Sequence, residues 1–420
     1  MSSSRIHTIS KWVGMIGFPL IALSCLKSDN PGLPGKVVKV IQQTGFNRVE
    51  LTKTIGHFLY APDSLALKAA YFLIGNMERH YSIDYEIKDS SGKTFHYDPF
   101  SFPEDGRFLS RWKALEDSLG KLKFEARKFT LDRDTITAEI LIETIGLTLK
   151  SRDFPWASNY STNQIFSFVL PYRVGNEHIE HWRPFLQAHF LPLISDTIRQ
   201  PEKVAEFVND YIDTHFIIDD RFLKKAGITP VGELFRLRRG NEQDISYLKV
   251  KSLRSLGIPA SLNHIPYYAD SLHGGYFAAY LNKQNRFIPL LNHRQKQAFT
   301  AGNRIPKIYQ RSYTVCDSSL FAIKATSLTT PPYLGHYHDS DVTAEFIPTA
   351  SISFEGSAAD SLLYLTVYND EEWRATDWAI FKNGKAVFNN INPGITYHFA
   401  TLNQEEDTLK EVKGNSVLVR

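Results

Sequence analysis

The sequence predicts an α+β protein built in three parts behind a leader. Apolar residues recur at helical spacing in the first third, and short alternating segments typical of strands fill the last fifth. Between them, one helix pattern is followed by several strand patterns. A chain of 420 residues exceeds a single ordinary core, so several domains are expected. The predicted parts are a signal peptide at 1–25, a helical domain at 26–165, an α+β core at 166–325 and a β-sandwich at 338–420.

The helical domain is predicted from three amphipathic stretches. Residues that share one helical face in the first stretch, after the start signals Pro62 and Ser64, are Leu65, Ala69, Phe72, Leu73 and Met77. Two further stretches cover 109–122 and 134–149, and the turn formers at 90–93 indicate a short hairpin between the first two.

The first residues have the pattern of a secretion signal. Arg5 and Lys11 precede an apolar run at 12–23, which is too short for a stable membrane-spanning helix. The run ends before Cys25, in a pattern that resembles a bacterial lipoprotein signal with Cys25 as the acylated residue. The alternative is a simple secretory leader with an incidental cysteine. Acylation at Cys25 would anchor the mature protein to a membrane of the cell envelope.

Charge and cysteine content exclude several classes of protein. The formal charge is +3, and it becomes +1 without Arg5 and Lys11, which is no footprint for nucleic-acid binding. With Cys25 acylated, Cys316 has no partner for a disulfide. We expect Cys316 to be a small buried group on a strand at 313–316.

The core is predicted around one helix that begins near Glu242. Its buried face is marked by Ile245, Leu248, Leu253 and Leu256, and the helix ends at Gly257 and Pro259. A first strand is expected at 264–268. The segments 277–281 and 286–290 are expected to form a hairpin around 282–285.

Four runs of the core resemble one known superfamily. They are Arg239–Asp244, Leu253–Ala260, Gly274–Ala278 and Arg286–Leu291. Their order and spacing resemble the transglutaminase-like superfamily, whose papain-like fold carries a Cys-His-Asp triad. In that pattern the cysteine opens a helix, the histidine precedes an aromatic residue on the next strand, and the aspartate ends a third element.

All three catalytic positions of the superfamily are replaced in this chain. The cysteine position holds Glu242, twelve residues before Arg254 (254 − 242 = 12), which fits the spacing of the family. The histidine position, two before Phe277, holds Gly275, and the aspartate position holds Leu291. The resemblance therefore implies a pseudoenzyme.

A narrower resemblance extends over nearly the whole mature chain. The leader, the run Asn76–Ser82 and the run Leu170–Arg183 occur together with the core in a group of transglutaminase-like lipoproteins of Bacteroidetes. Members of that group commonly keep the catalytic cysteine and histidine, so this chain departs from them at its site.

The two carboxylates at the start of the helix have two interpretations. Glu242 and Asp244 are typical first-turn residues, since the helix dipole and the free backbone donors favour the charged form there. The alternative is a functional pair, with His273 as an acid brought round by Gly274 and Gly275.

Candidate binding residues come from the core and from an aromatic stretch before it. Glu242, Asp244, Tyr276 and Phe277 are expected at the former substrate cleft. Tyr172, Arg173 and Trp182 are candidates for a groove beside it. The alternative for these three, with Glu177 and Arg183, is a packing seam with paired charges.

No metal or cofactor site is expected. The cluster His336–Asp341 has metal-type donors but lacks a further fixed ligand, so we interpret it as a solvated linker. Beyond it, alternating segments at 351–354, 363–367 and 378–381 predict strands, and Asn383-Gly384 predicts a two-residue hairpin turn.

The expected function is recognition of a peptide or glycan in the former substrate cleft. Two alternatives stay open. One is a peptidase- or amidase-type hydrolase that uses Glu242 or Asp244 with His273. The other is a structural role, in which the aromatic stretch and the β-sandwich dock another envelope protein.

Overall fold

The structure is a computed structural model of the whole chain. It describes residues 32–269, 273–301, 304–324, 330–356, 362–403 and 408–419. The predicted leader at 1–25 and Cys25 lie outside the described residues. Within the described ranges, no helix has the length and apolar character that crossing a membrane would require.

The N-terminal part combines helices with a small sheet. Its elements are α1 (Gly35–Gln43), α2 (Arg48–Leu59), α3 (Ser64–Asn76), β1 (Tyr81–Lys88), β2 (Thr94–Phe95), α4 (Phe108–Leu119), β3 (Lys123–Leu131), α5 (Asp132–Thr135), α6 (Ala138–Ser151) and α7 (Thr162–Phe168). The three predicted helical stretches are present as α3, α4 and α5–α6, and the hairpin is present as β1–β2.

The N-terminal part, predicted as helical with a short hairpin, contains a third strand that was not predicted. β1, β2 and β3 form an antiparallel sheet in the order β2-β1-β3. The strand β3 alternates polar and apolar residues over Lys123–Arg127 and again over Lys128–Leu131, although most of it is exposed. Its pairing with β1 covers eight residue pairs.

The central part packs one buried helix on a five-stranded sheet. Its elements are α8 (Trp182–Phe190), α9 (Pro201–His215), β4 (Ile217–Ile218), α10 (Val231–Leu237), β5 (Arg239–Gly240), α11 (Glu242–Ser255), β6 (Ala260–Ile265), β7 (Gly275–Leu281), β8 (Phe287–Leu290), α12 (His293–Ala301), β9 (Tyr309–Arg311), α13 (Leu320–Ile323) and β10 (Asp339–Asp341). The sheet has the order β10-β9-β6-β7-β8, and every neighbouring pair is antiparallel.

Helix α11 lies at the centre of this part. Ile245, Leu248, Leu253 and Leu256 are buried as predicted, and Gly257 ends the helix with φ +75°. The burial is more complete than one apolar face requires, because every residue from Asp244 to Ser255 is buried. Two lysines and an arginine within α11 are therefore buried as well, and each has an anionic or carbonyl partner.

Two strand predictions in the core need correction. The first core strand is Ala260–Ile265, not 264–268, because the chain enters the sheet directly after Pro259. The expected strand at 313–316 is absent: β9 ends at Arg311, and Cys316 is a half-buried free thiol in a turn. The hairpin is confirmed, with β7 paired to β8 across 282–286.

The C-terminal part contains two antiparallel sheets. Its elements are α14 (Thr343–Phe346), β11 (Ala350–Glu355), β12 (Leu362–Asn369), β13 (Glu372–Ile380), β14 (Lys385–Ile391), β15 (Thr396–Asn403) and β16 (Thr408–Leu418). One sheet is β11-β14 and the other is β13-β12-β15-β16. Side chains of both sheets share one hydrophobic cluster that includes Leu365, Phe388 and Phe399.

The predicted turn at Asn383-Gly384 is present, and it joins the two sheets. Both residues have positive φ, as a type I′ turn requires, and Lys382 pairs with Lys385. Beyond that pair the strands part, since β13 pairs with β12 and β14 pairs with β11. Upstream, β10 pairs with β9, so the start of the range 338–420 belongs to the central sheet.

Candidate functional site

The N-terminus of α11 is held by a capping box that includes one of the two candidate carboxylates. The Asn241 side chain accepts a hydrogen bond from the Asp244 amide at 2.8 Å, and Asp244 Oδ2 accepts one from the Asn241 amide at 3.1 Å. Gly240 must lack a side chain, because a Cβ there would lie 2.9 Å from Asp244.

Asp244 is structural, which corrects its fallback assignment as a catalytic base. Its carboxylate also accepts hydrogen bonds from the Thr229 amide at 2.7 Å and the Thr229 hydroxyl at 3.0 Å. The residue has no solvent exposure, and burial raises the pKa of its carboxyl group. All of these donors come from the protein, so no substrate can reach Asp244.

Glu242 sits in a different environment, two residues earlier in the same turn. Its side chain is half-buried beside the start of β7. Oε2 accepts a hydrogen bond from the Tyr276 amide and Oε1 accepts one from Asn292 Nδ2, both at 3.1 Å. Burial nevertheless raises the pKa of Glu242. The helix terminus was expected to favour the charged form of Glu242, and desolvation acts in the opposite direction.

Gly275, which holds the histidine position of the family pattern, faces Glu242, and the side chain of Tyr268 fills the space beside it. A Cβ built on Gly275 would lie 2.5 Å from Tyr268 Oη and 3.1 Å from Glu242 Oε2. The phenol of Tyr268 thus occupies the space in which a side chain at position 275 would begin. Desolvation and the neighbouring Glu242 raise the pKa of this phenol, so it stays protonated and can donate a hydrogen bond.

The aspartate position, Leu291, carries no polar group to this site. Leu291 packs on a cluster that contains Ile265 and Phe277. The next residue, Asn292, provides the contact to Glu242, and its side chain also accepts a hydrogen bond from the Gln295 amide at 2.9 Å. Asn292 is thereby fixed at the start of α12.

Three adjoining cavities meet at this helix terminus, and together we call them the α11 cleft. Their volumes are about 640, 240 and 1030 Å³, and Leu223 and Asn241 line all three. Glu242, His273 and Gly274 line the first two, and Tyr276 and Tyr333 line the last two. The cleft therefore brings Glu242, Tyr276 and His273 together, as the sequence predicts.

The cleft has walls from the N-terminal and central parts of the chain and carries both signs of charge. Leu109 comes from α4, Arg294 from α12 and Tyr333 from the segment after α13. Asp219 and Asp220 line the 640 Å³ cavity beside Arg294, and Arg127 and Lys225 line the 1030 Å³ cavity beside Asp84. The lining of the cleft therefore combines charged, phenolic and apolar side chains.

Phe277 does not belong to the cleft, which corrects its assignment. Successive strand residues point to opposite faces, so Phe277 faces away from Tyr276 and α11. Its side chain is 1 % exposed, and its ring lies 5.4 Å from the rings of Phe299 and Phe346 on the other face of the sheet.

Tyr172, Arg173 and Trp182 also lie outside the cleft, and the packing-seam interpretation describes them correctly. Each is buried. The Tyr172 hydroxyl and Arg173 Nε donate to Asp132 Oδ2 at 2.7 and 2.6 Å, and Trp182 Nε1 donates to the Tyr172 carbonyl at 2.7 Å. These residues join the N-terminal helices to α11, and Arg173 lines a small cavity of about 30 Å³.

The seam continues through further buried charges. The Lys251 ammonium contacts Glu180 at 2.6 Å and Glu177 at 3.6 Å. The Glu177 carboxylate also accepts the amides of Val174 and Gly175 at 2.8 Å. These seam charges are therefore paired within the chain, and Glu177 also lines the 1030 Å³ cavity described above.

The cluster at 336–341 is not a solvated linker, which corrects that interpretation. Asp339 is buried and pairs with Arg311 through two contacts of 2.7 and 2.8 Å. The ring of His338 stacks on His80 at 4.3 Å, and Asp339 Oδ2 lies 3.8 Å from His264 Nε2. Among the described residues, no group of three or more histidine, cysteine or acidic side chains is arranged to hold a metal ion.

Sequence reasoning missed four residues of the site, namely Tyr268, Asn292, Gln295 and Leu223. Asn292 was within reach, because it follows Leu291, a position that the family pattern singles out, whereas Tyr268 lies seven residues before Gly275 (275 − 268 = 7). Leu223 enters from a 3-10 turn after β4, and no local pattern announces that approach. Comparison with protein-family models, with curated proteins and with solved structures finds no match to this chain.

Proposed function

We propose that the protein is a lipid-anchored protein of the bacterial cell envelope whose transglutaminase-like core is catalytically degenerate and binds a peptide or glycan in the α11 cleft. The C-terminal part is then a β-sandwich domain beside that core. One observation carries the proposal: the position opposite Glu242 is filled by Tyr268, while the cleft on both sides of it stays open.

The arrangement of the core supports the family assignment. A cysteine-protease-like site needs a helix N-terminus beside the start of a strand, and α11 and β7 provide this pair with Glu242 and Gly275 at the two facing positions. A third element then ends beside them at Asn292. Three elements thus meet as the family pattern would require, and the positions of its nucleophile and base hold Glu242 and Gly275.

Chemistry at the site supports binding over turnover. Glu242 is held by two donors, the Tyr276 amide and Asn292 Nδ2, so its carboxylate is oriented rather than free. Tyr276, Asn241 and Gln243 add phenol and amide groups along the cleft. Fixed polar groups between apolar walls such as Leu109 and Leu223 are typical of recognition sites.

The cleft can be blocked by one substitution with a matched control on the same helix. Ala298 of α12 lines the 640 Å³ cavity and Lys296 of α12 faces solvent. We expect the chain from residue 26 to retain members of a library of peptides and cell-wall glycan fragments. Ala298→Trp should lower retention at least tenfold, whereas Lys296→Trp should leave it unchanged. Retention that survives Ala298→Trp, or no retention at all, would contradict the proposal.

A second candidate function is favoured by the raised pKa of Glu242. Glu242 shares a cavity with His273, and burial shifts its pKa upward, the direction that suits a general acid in a hydrolase of the peptidase or amidase type. Asp244 has no part in it, because its oxygens are saturated. This candidate predicts turnover that Glu242→Gln abolishes and that falls as the pH rises through the pKa of Glu242.

A further inference from the structure

Helix α2 has an outward face that is exposed in the part of the chain that the structure describes. Its buried face consists of Leu51, Thr54, Ile55 and Phe58. On the opposite side, at helical spacing, lie Phe46, Val49, Lys53, Gly56 and Tyr60, all of them exposed. Phe46 is 100 % exposed and Tyr60 is 90 % exposed, which is far from the usual environment of an aromatic side chain.

The exposed Lys and Arg side chains of α2 are Arg48 and Lys53. Beyond Tyr60, the exposed carboxylate that follows along the chain is Asp63. The single acidic residue of α2, Glu50, points inward, where its Oε2 accepts a hydrogen bond from the Ala138 amide at 2.7 Å and caps α6. An apolar stripe flanked by cations, with aromatic residues at both ends, is the composition of a helix that lies in a membrane interface.

The outward face of α2 also lies close along the chain to Cys25, the predicted site of the lipid anchor. Cys25 is seven residues before Gly32, the first described residue, and seven extended residues span at most about 25 Å. The helix α1 that follows adds roughly 13 Å before the turn that carries Phe46. An anchor at Cys25 therefore keeps α2 within reach of the bilayer surface.

We propose that the outward face of α2, from Phe46 to Tyr60, docks on the bilayer that holds the lipid anchor, with both aromatic rings in the interface and Lys53 among anionic headgroups. The inference rests on the proposed lipid anchoring and adds an orientation to it. Docking through α2 would fix the α11 cleft at a set height and direction above the membrane instead of leaving it free on a tether.

The test replaces the lipid by a tag, so that it does not depend on acylation of Cys25. The chain from residue 26 carries an N-terminal histidine tag and is captured on vesicles of phosphatidylethanolamine and phosphatidylglycerol with a nickel-chelating lipid and brominated acyl chains. Indole reporters are introduced by Phe46→Trp, by Tyr60→Trp and, as control, by Val387→Trp at a 45 % exposed position of β14. Quenching by bromine is measured against the unsubstituted chain.

We expect the reporters at positions 46 and 60 to be quenched at least threefold more than the reporter at 387. Adding Lys53→Glu should halve that quenching on the anionic vesicles. Equal quenching at all three positions, or none at any, overturns the docking face. Either result leaves the anchoring proposal standing, since the mass of protein extracted from membranes tests acylation of Cys25 separately.

Discussion

The seam and the α11 cleft contain the same kinds of residue and use them in opposite ways. In the seam, Asp132, Arg173 and Tyr172 are buried, and every charge has a fixed protein partner. In the cleft, Glu242 has two protein donors and still lines a cavity. The difference shows that charged and aromatic residues do not by themselves mark a binding site. A binding site also requires an oriented polar group with one side open to a cavity.

The largest expected effect comes from breaking the seam. Arg173→Met would leave Asp132 buried without its cation, and we expect a loss of roughly 3–5 kcal/mol in the free energy of unfolding. Urea denaturation measures it. Adding Asp132→Leu should recover part of the loss, since the unpaired charge is then removed. A loss below about 1 kcal/mol for Arg173→Met would show that water reaches the seam.

Acidic pH should lower the free energy of unfolding through two buried histidines, His264 and His80. Burial lowers the pKa of His264 to about 4, and it lowers the pKa of His80 well below its ordinary value. The unfolded chain therefore binds protons first, so stability is complete above about pH 6.5 and falls as the pH drops toward 4. Nearby Asp339 and Arg311 bias His264 in opposite directions, and burial is the largest influence on its pKa.

Removing His264 should reduce this acid sensitivity. His264→Phe keeps a ring between Tyr276 and Tyr309 and removes the titrating group. We expect the stability lost between pH 7 and pH 4 to shrink by about 3 kcal/mol. Denaturation midpoints across that range measure it, with His57→Phe at an exposed position of α2 as control. Equal losses in the wild type and His264→Phe would contradict the account.

Two isosteric substitutions in one helical turn compare a sealed carboxylate with an open one. Asp244→Asn turns an amide group toward donors and should cost about 2 kcal/mol of stability. Glu242→Gln should cost less than about 1 kcal/mol, because water in the cleft can supply the partner that is lost. Thermal or urea denaturation of the two variants decides the matter. Equal costs would mean that Glu242 is as enclosed as Asp244.

A coupling energy between positions 268 and 275 tests whether Tyr268 fills the position opposite Glu242. Gly275→Ala should destabilise the wild type by roughly 1–3 kcal/mol, since its Cβ meets the phenol of Tyr268. The same change in a Tyr268→Ala background should cost about 1 kcal/mol less. A double-mutant cycle measures the coupling. Additive costs would place Tyr268 away from position 275.

The sequence predicts well those features that depend on local patterns. The start of α11 at Glu242, its end at Gly257 and the β7–β8 hairpin are local, because caps, glycine and alternation set them. The placement of Glu242 beside Gly275 came from the resemblance, and hydrogen bonding to the Tyr276 amide agrees with it.

Features that depend on distant contacts were predicted poorly. Asp244 and Glu242 look alike in the sequence, and only Thr229, fifteen residues before Asp244, separates their roles. The burial of Arg173 depends on Asp132, which is 41 residues away. The local sequence around Asp339 predicts a polar linker, whereas in the structure Arg311 of the neighbouring strand pairs with Asp339 and buries it. Tertiary packing determines these partners, and they cannot be predicted from local propensity.

The most direct test of the central claim measures turnover and retention together. The chain from residue 26 and its Glu242→Gln variant are incubated with the same library of peptides and cell-wall fragments, and the products and the bound fraction are followed by mass spectrometry. The account predicts no turnover by either protein and retention of the same members by both, since the cleft is unchanged in shape. Turnover by the wild type that disappears in Glu242→Gln would contradict it and make Glu242 the centre of an active hydrolase.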